Sequence, residues 1–115
     1  MAERRMISKS VVCTDKFLAM SSNARALYLH MVVCADDDGF VDSLKGIMVL
    51  CGTNSKSLAQ LVKNEYVYIF PSGVAVIVHW PMQNRIAKDR YKPTIYTEEK
   101  SRLSVNSKGM YGVYD

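Results

Sequence analysis

The densest polar chemistry of the chain lies in the run from Asn84 to Thr94, NRIAKDRYKPT, where Arg85, Lys88, Arg90 and Lys92 crowd around a single acid, Asp89. Guanidinium and ammonium groups at that density suit phosphate oxygens, Arg through a planar fork of donors and Lys as a point charge. Asn84 adds an amide for the same oxygens, and Tyr91 offers a ring on which a base can stack. A structural reading competes: Asp89 pairs with Arg85 or Lys92, and Tyr91 packs on the hairpin before it. A second polar set, Lys56, Gln60 and Lys63, recurs at helical spacing with no acid until Glu65. Lys56 and Lys63 suit phosphates, and Gln60 suits a base edge such as adenine in the major groove. Its plain alternative is a solvated helix face.

The remaining reactive residues point away from catalysis. The sequence holds no nucleophile elbow, phosphate-binding glycine loop, HExxH or paired zinc motif, so no catalytic residue, metal site or cofactor is assigned. Asp36, Asp37 and Asp38 lack the glycine and glutamate positions of a calcium loop and read as turn and capping residues. Trp80, at the end of a valine-rich run, reads as a core anchor in preference to a stacking surface. His30 and His79 stand apart from any Cys or carboxylate pattern. Cys13, Cys34 and Cys51 form no CxxC and read as small apolar residues in a reducing compartment.

The elements that must carry these residues follow from periodicity. Ser22 is the expected N-cap of a helix over 23–34, with Leu27, Tyr28, Met31 and Val32 as its apolar stripe. Asp36 to Gly39 end it, and Phe40-Val41 suffices for a minimal strand. A second helix, to about Leu50, buries Leu44, Ile47 and Met48 despite Gly46, and the Cys51-Gly52-Thr53-Asn54 turn stops it. A third, capped by Asn54 or Ser55 and reaching about Asn64, buries Leu58, Leu61 and Val62. The period then changes to two, predicting a hairpin of strands 66–70 and 74–80 around Pro71-Ser72-Gly73. The hairpin tip carries no basic residue, so the segment after it takes the place of a charged wing.

Composition sets the outer bounds. At 115 residues the chain has the size of one domain, and 49% apolar residues exclude wholesale disorder, while no apolar run is long enough for a transmembrane helix. MAERRMISKS has no apolar export core, so a soluble cytoplasmic protein is expected. The net charge of +4 is uneven: residues 1–50 carry six basic and six acidic side chains, residues 51–115 nine and five. The positive surface belongs to the second half. The division expected is a domain over 1–100 and a flexible C-terminal tail over 101–115.

Helix, strand, helix, turn, helix, hairpin is the order of an α+β winged helix-turn-helix, a three-helix core with a C-terminal hairpin wing. With RMISKS, ALYLHM, ADDDGFV, SGVAVIVHW and KDRYKPT in that order, the chain resembles, over roughly residues 4–100, the N-terminal domain of phage replisome organizers, the DnaD-like replication initiators. The resemblance implies binding of DNA at a phage origin, in a bacterial host cytoplasm, with self-association and work as a platform for host or phage helicase-loading proteins; double-stranded DNA is the expected partner, and the sequence leaves the choice between single and double strands open. Gln83-Asn84-Arg85-Ile86 departs from the His and Tyr usual after the hairpin. Family members continue into a C-terminal region, so a chain ending at Asp115 reads as an excised domain or a shortened protein. A phage transcriptional regulator of the same fold, and a protein-binding or inhibitory module, are the alternative functions.

Overall fold

The computed structural model describes residues 4–113. Four of its helix starts are closed by the side chains that favour that position. Ser8 caps α1 (Lys9–Val12), Thr14 caps α2 (Asp15–Leu18), Ser21 caps α3 (Ser22–Cys34) and Asn54 caps α5 (Ser55–Lys63), each accepting a backbone N–H of the first turn. The cap of α3 is thus Ser21, one residue before the expected Ser22: Ser21 keeps an extended backbone that lets its hydroxyl reach the Ala24 N–H. Between α3 and α5 lies α4 (Leu44–Cys51), closed by Gly52 in the left-handed conformation, φ 66°.

The stripe expected on α3 is buried as a unit, with Leu27, Tyr28, Met31 and Val32 each 0% exposed. Leu61 of α5 is equally buried, but Leu58 is only half-buried and Val62 is 38% exposed. The helical wheel overstates this face because Ser57 takes the inward position beside Leu61. Phe17, Tyr28 and Tyr66 meet edge to face, with ring centroids 5.5–5.6 Å apart. These contacts join α2, α3 and the start of the hairpin.

The hairpin pairs β2 (Val67–Ile69) with β3 (Ala75–Ile77), and β1 (Phe40–Val41) adds to the other side of β3, giving an antiparallel order β1-β3-β2. Phe40, Val76 and Tyr68 are cross-strand partners and share one face, while Val41, Ala75 and Ile69 share the other. The second face lies on the helices, and the first supports a smaller cluster with Phe70 and Val74, against which Tyr96, Leu103 and Tyr111 pack. Burial of both faces explains why residues 74–77 read as a continuous apolar run.

Both strands are shorter than the expected 66–70 and 74–80. Trp80 opens a helical turn, α6 (Trp80–Gln83), in which Pro81 occupies the first turn, where a missing N–H costs nothing. Trp80 remains a core residue at 2% exposure, and its Nε1 donates to the Asp37 carbonyl at 2.9 Å. After it come α7 (Thr97–Ser101) and a second hairpin of β4 (Leu103–Val105) and β5 (Tyr111–Val113). That hairpin lies where a flexible tail is expected. Its turn is set by Asn106, whose Oδ1 accepts from Lys108 N and Met110 N, and by Gly109 at φ 80°. Tyr111 docks it, donating from N to Val78 O and from Oη to Asp38 O, each at 2.8 Å. The fold is α+β, and no described helix is long and apolar enough to cross a membrane.

Candidate nucleic-acid interface

The basic segment has no regular structure over 84–96, so something other than a backbone ladder must hold it. That something is the triple-aspartate turn after α3. Asp36 accepts from Asp38 N and Phe40 N through Oδ1 and from the Thr94 hydroxyl through Oδ2. Asp37 accepts from Arg5 Nη1 and from Lys92 N, both at 2.9 Å. Asp38 accepts from the Tyr91 hydroxyl, from Thr94 N and from Lys100 Nζ. Turn chemistry, as the sequence suggests, describes the Oδ1 contacts of Asp36. Its Oδ2, together with Asp37 and Asp38, does more: the three carboxylates anchor residues 91–100 to a loop more than fifty positions earlier in the chain.

Gly39 makes that loop possible. At φ 88°, a Cβ there would stand 2.5 Å from Trp80 Cγ, so the backbone passes directly over the indole. Arg5 closes the other side, donating to Asp37 Oδ1 and Ala35 O, with its guanidinium 5.4 Å from the Trp80 ring centroid. Its side chain and that of Asp37 are 2% and 0% exposed. Burial works to push the Asp37 carboxyl up, but the Lys92 N–H and the Arg5 guanidinium outweigh it and hold the group below its ordinary range. Burial likewise works against the charge on Lys100, and Tyr91 and Asp38 overcome it, so its pKa is raised. Beside this network the Tyr96 hydroxyl donates to Asp42, which pushes its own pKa up to about 12.

The side chains of the segment divide in two. Arg85, Lys88, Arg90 and Lys92 are exposed, and among the described residues none has an acidic partner. Asp89 pairs with neither Arg85 nor Lys92. Asn84 and Tyr91, by contrast, hold the segment in place. Asn84 accepts from Met6 N and donates to Met6 O, so both polar ends of its amide engage backbone. Tyr91 is tied by its hydroxyl to Asp38 and Lys100, and Lys100 Nζ lies 5.6 Å from its ring centroid. Next to Asn84, Gln83 bridges Ser8 N and the Tyr28 hydroxyl.

The face of α5 shows the same division. Lys56 and Lys63 are exposed, while Gln60 Oε1 accepts from both Ser21 N and the Ser21 hydroxyl at 3.0 Å. Bidentate bonding to adenine needs that oxygen together with the amide N–H, so base reading by Gln60 competes with a contact that joins α5 to the start of α3.

Sequence reasoning misses Arg5, Asp37, Asp38, Lys100 and Tyr111 as organisers of this surface. One signal was available: the acid-rich string ADDDGF and the base-rich string KDRYKPT are complementary, and a domain this small brings distant strings together. Comparison with protein-family models, with curated proteins and with solved structures returned no match.

Proposed function

We propose that the chain is a DNA-binding domain of the winged-helix type, acting in phage replication initiation as its resemblance to replisome organizers implies. The reading is supported by the order of α4, the Gly52 turn and α5, which is that of a helix-turn-helix, and by the β2–β3 hairpin that follows α5 where a wing is expected, with β1, from before α4, paired to β3. The observation that carries the reading is the outward display of Arg85, Lys88, Arg90 and Lys92 while the neighbouring carboxylates of Asp37 and Asp38 are turned inward and saturated. A surface so arranged is positive without being self-neutralised, and a phosphate backbone is the complementary partner. Lys56 and Lys63 add a second cationic edge. The exposed Val49 and Leu50 of α4, at 79% and 80%, favour a protein partner as the second reading, whether a helicase-loading protein or another copy of the chain.

Salt dependence tests the first reading. Each phosphate neutralised contributes about 0.9 to the slope of log K against log salt on duplex DNA, so changing Arg85, Lys88, Arg90 and Lys92 together to Ala should flatten that slope by up to about 3.6. Stability should change by no more than about 0.5 kcal/mol per site, because all four are at the surface. A folded quadruple variant that retains the wild-type slope rejects the phosphate clamp and leaves the protein partner as the better reading.

A further inference from the structure

We propose that the hollow between the basic segment and the C-terminal hairpin seats an unpaired nucleobase of single-stranded DNA. The inference rests on the DNA reading above and names the state of the DNA engaged. A cavity of 410 Å³ opens there, walled by Ile86, Tyr91, Val105 and Tyr111, with Arg85 and Lys100 as its cations. A second cavity of 350 Å³ shares Arg85 and Val105 with the first and extends to Lys108. Both fall in the size range of small-molecule sites.

The form of this surface selects the strand. Duplex DNA offers a convex backbone and bases whose faces are already stacked, so it cannot fill an apolar hollow. An unpaired base has free faces and is held by aromatic and aliphatic walls. Charge points to the same occupant. The first cavity contains Asp37 and Asp38, but Arg5, Lys100, Tyr91 and two backbone N–H groups already satisfy those carboxylates. No acid lines the second cavity. Arg85 is exposed and, among the described residues, without an acidic partner, so it is free for the phosphate of the seated nucleotide. Exposed Lys108 continues the cationic path along the strand.

The test compares a short oligothymidylate with an abasic strand of equal length, which carries the same phosphates and no bases. The full wild-type chain should bind the oligothymidylate about tenfold more tightly, within the contribution of one stacked base. Trp80, the sole tryptophan, borders the first cavity, and its fluorescence should change with the oligothymidylate and not with the abasic strand. Joint Ile86→Asn and Val105→Asn substitution should abolish the tenfold preference without altering abasic affinity. Equal wild-type affinity for the two strands overturns the proposal, as does a preference that survives in the folded double variant. Salt-dependent duplex binding without base preference defeats this inference alone. Absence of all salt-dependent DNA binding defeats the DNA reading as well.

Discussion

The polar face of α5 and the segment over 84–92 present similar cations, yet they are held by different means. On α5 the helix itself positions Lys56 and Lys63: Asn54 starts it, Leu61 buries it, and the turn spacing does the rest. The segment has no such internal frame. Its path is imposed by Asp37 on Lys92 N, by Asp38 on Tyr91 and Thr94, and by Asn84 on Met6. A regular element therefore carries its display with it, whereas an irregular one borrows its geometry from buried charge elsewhere in the fold. The second kind of surface should fail whenever that charge is removed, even though none of the displayed cations is touched.

The sharpest challenge to this contrast is Asp37→Ala. It leaves the buried Arg5 guanidinium without its counter-charge and Lys92 N without an acceptor, and breaking one partner of a buried pair costs about 3–5 kcal/mol. Denaturant unfolding measures the loss, and an unchanged midpoint would remove Asp37 as the anchor of the segment. Acid should reach part of the same loss without mutation. The folded carboxyl of Asp37 lies below its unfolded value of about 3.9, so its contribution is complete above that value and disappears as pH falls through the folded pKa. Asp42, held low chiefly by the Tyr96 hydroxyl, acts in the same direction. Unfolding free energy should therefore vary little between about pH 7 and 5 on account of these groups and fall below about 4, with Asp37→Asn showing a shallower acid decline.

The smallest effect belongs to the α5 side of the comparison. Gln60→Ala removes the acceptor for Ser21 and should cost about 1 kcal/mol in thermal or denaturant unfolding. Because the residue joins two helices, its loss should alter affinity for all DNA sequences alike. A loss confined to one sequence would restore Gln60 as a base reader.

Much of the scaffold was legible from the chain. The stripe of α3, the glycine stop of α4, Asn54 as a cap, the minimal strand at Phe40-Val41 and the hairpin around Pro71-Ser72-Gly73 each depend on residues within a few positions of one another. A helical wheel ranks Val62 with the apolar face because it does not register that Ser57 faces inward. A valine-rich strand signal running up to Pro81 hides the helical turn at Trp80, and the three-residue strands on either side of the Asn106 to Gly109 turn are too short to give a clear period-two signal for the second hairpin.

Which polar groups face inward was a different matter. Asn84, Tyr91 and Gln60 look like ligands in isolation, as Arg85 and Lys56 do, since composition records a side chain's chemistry and not its partner. Local interactions of capping, turn formation and hydrophobic periodicity set the helices and the hairpin, and composition by itself set the excess of positive charge. Tertiary folding brought Asp37 to Lys92 across 55 positions of chain and Asn84 to Met6 across 78, and those contacts engaged the carboxylate and the amide while Arg85, Lys88, Arg90 and Lys92 stayed exposed.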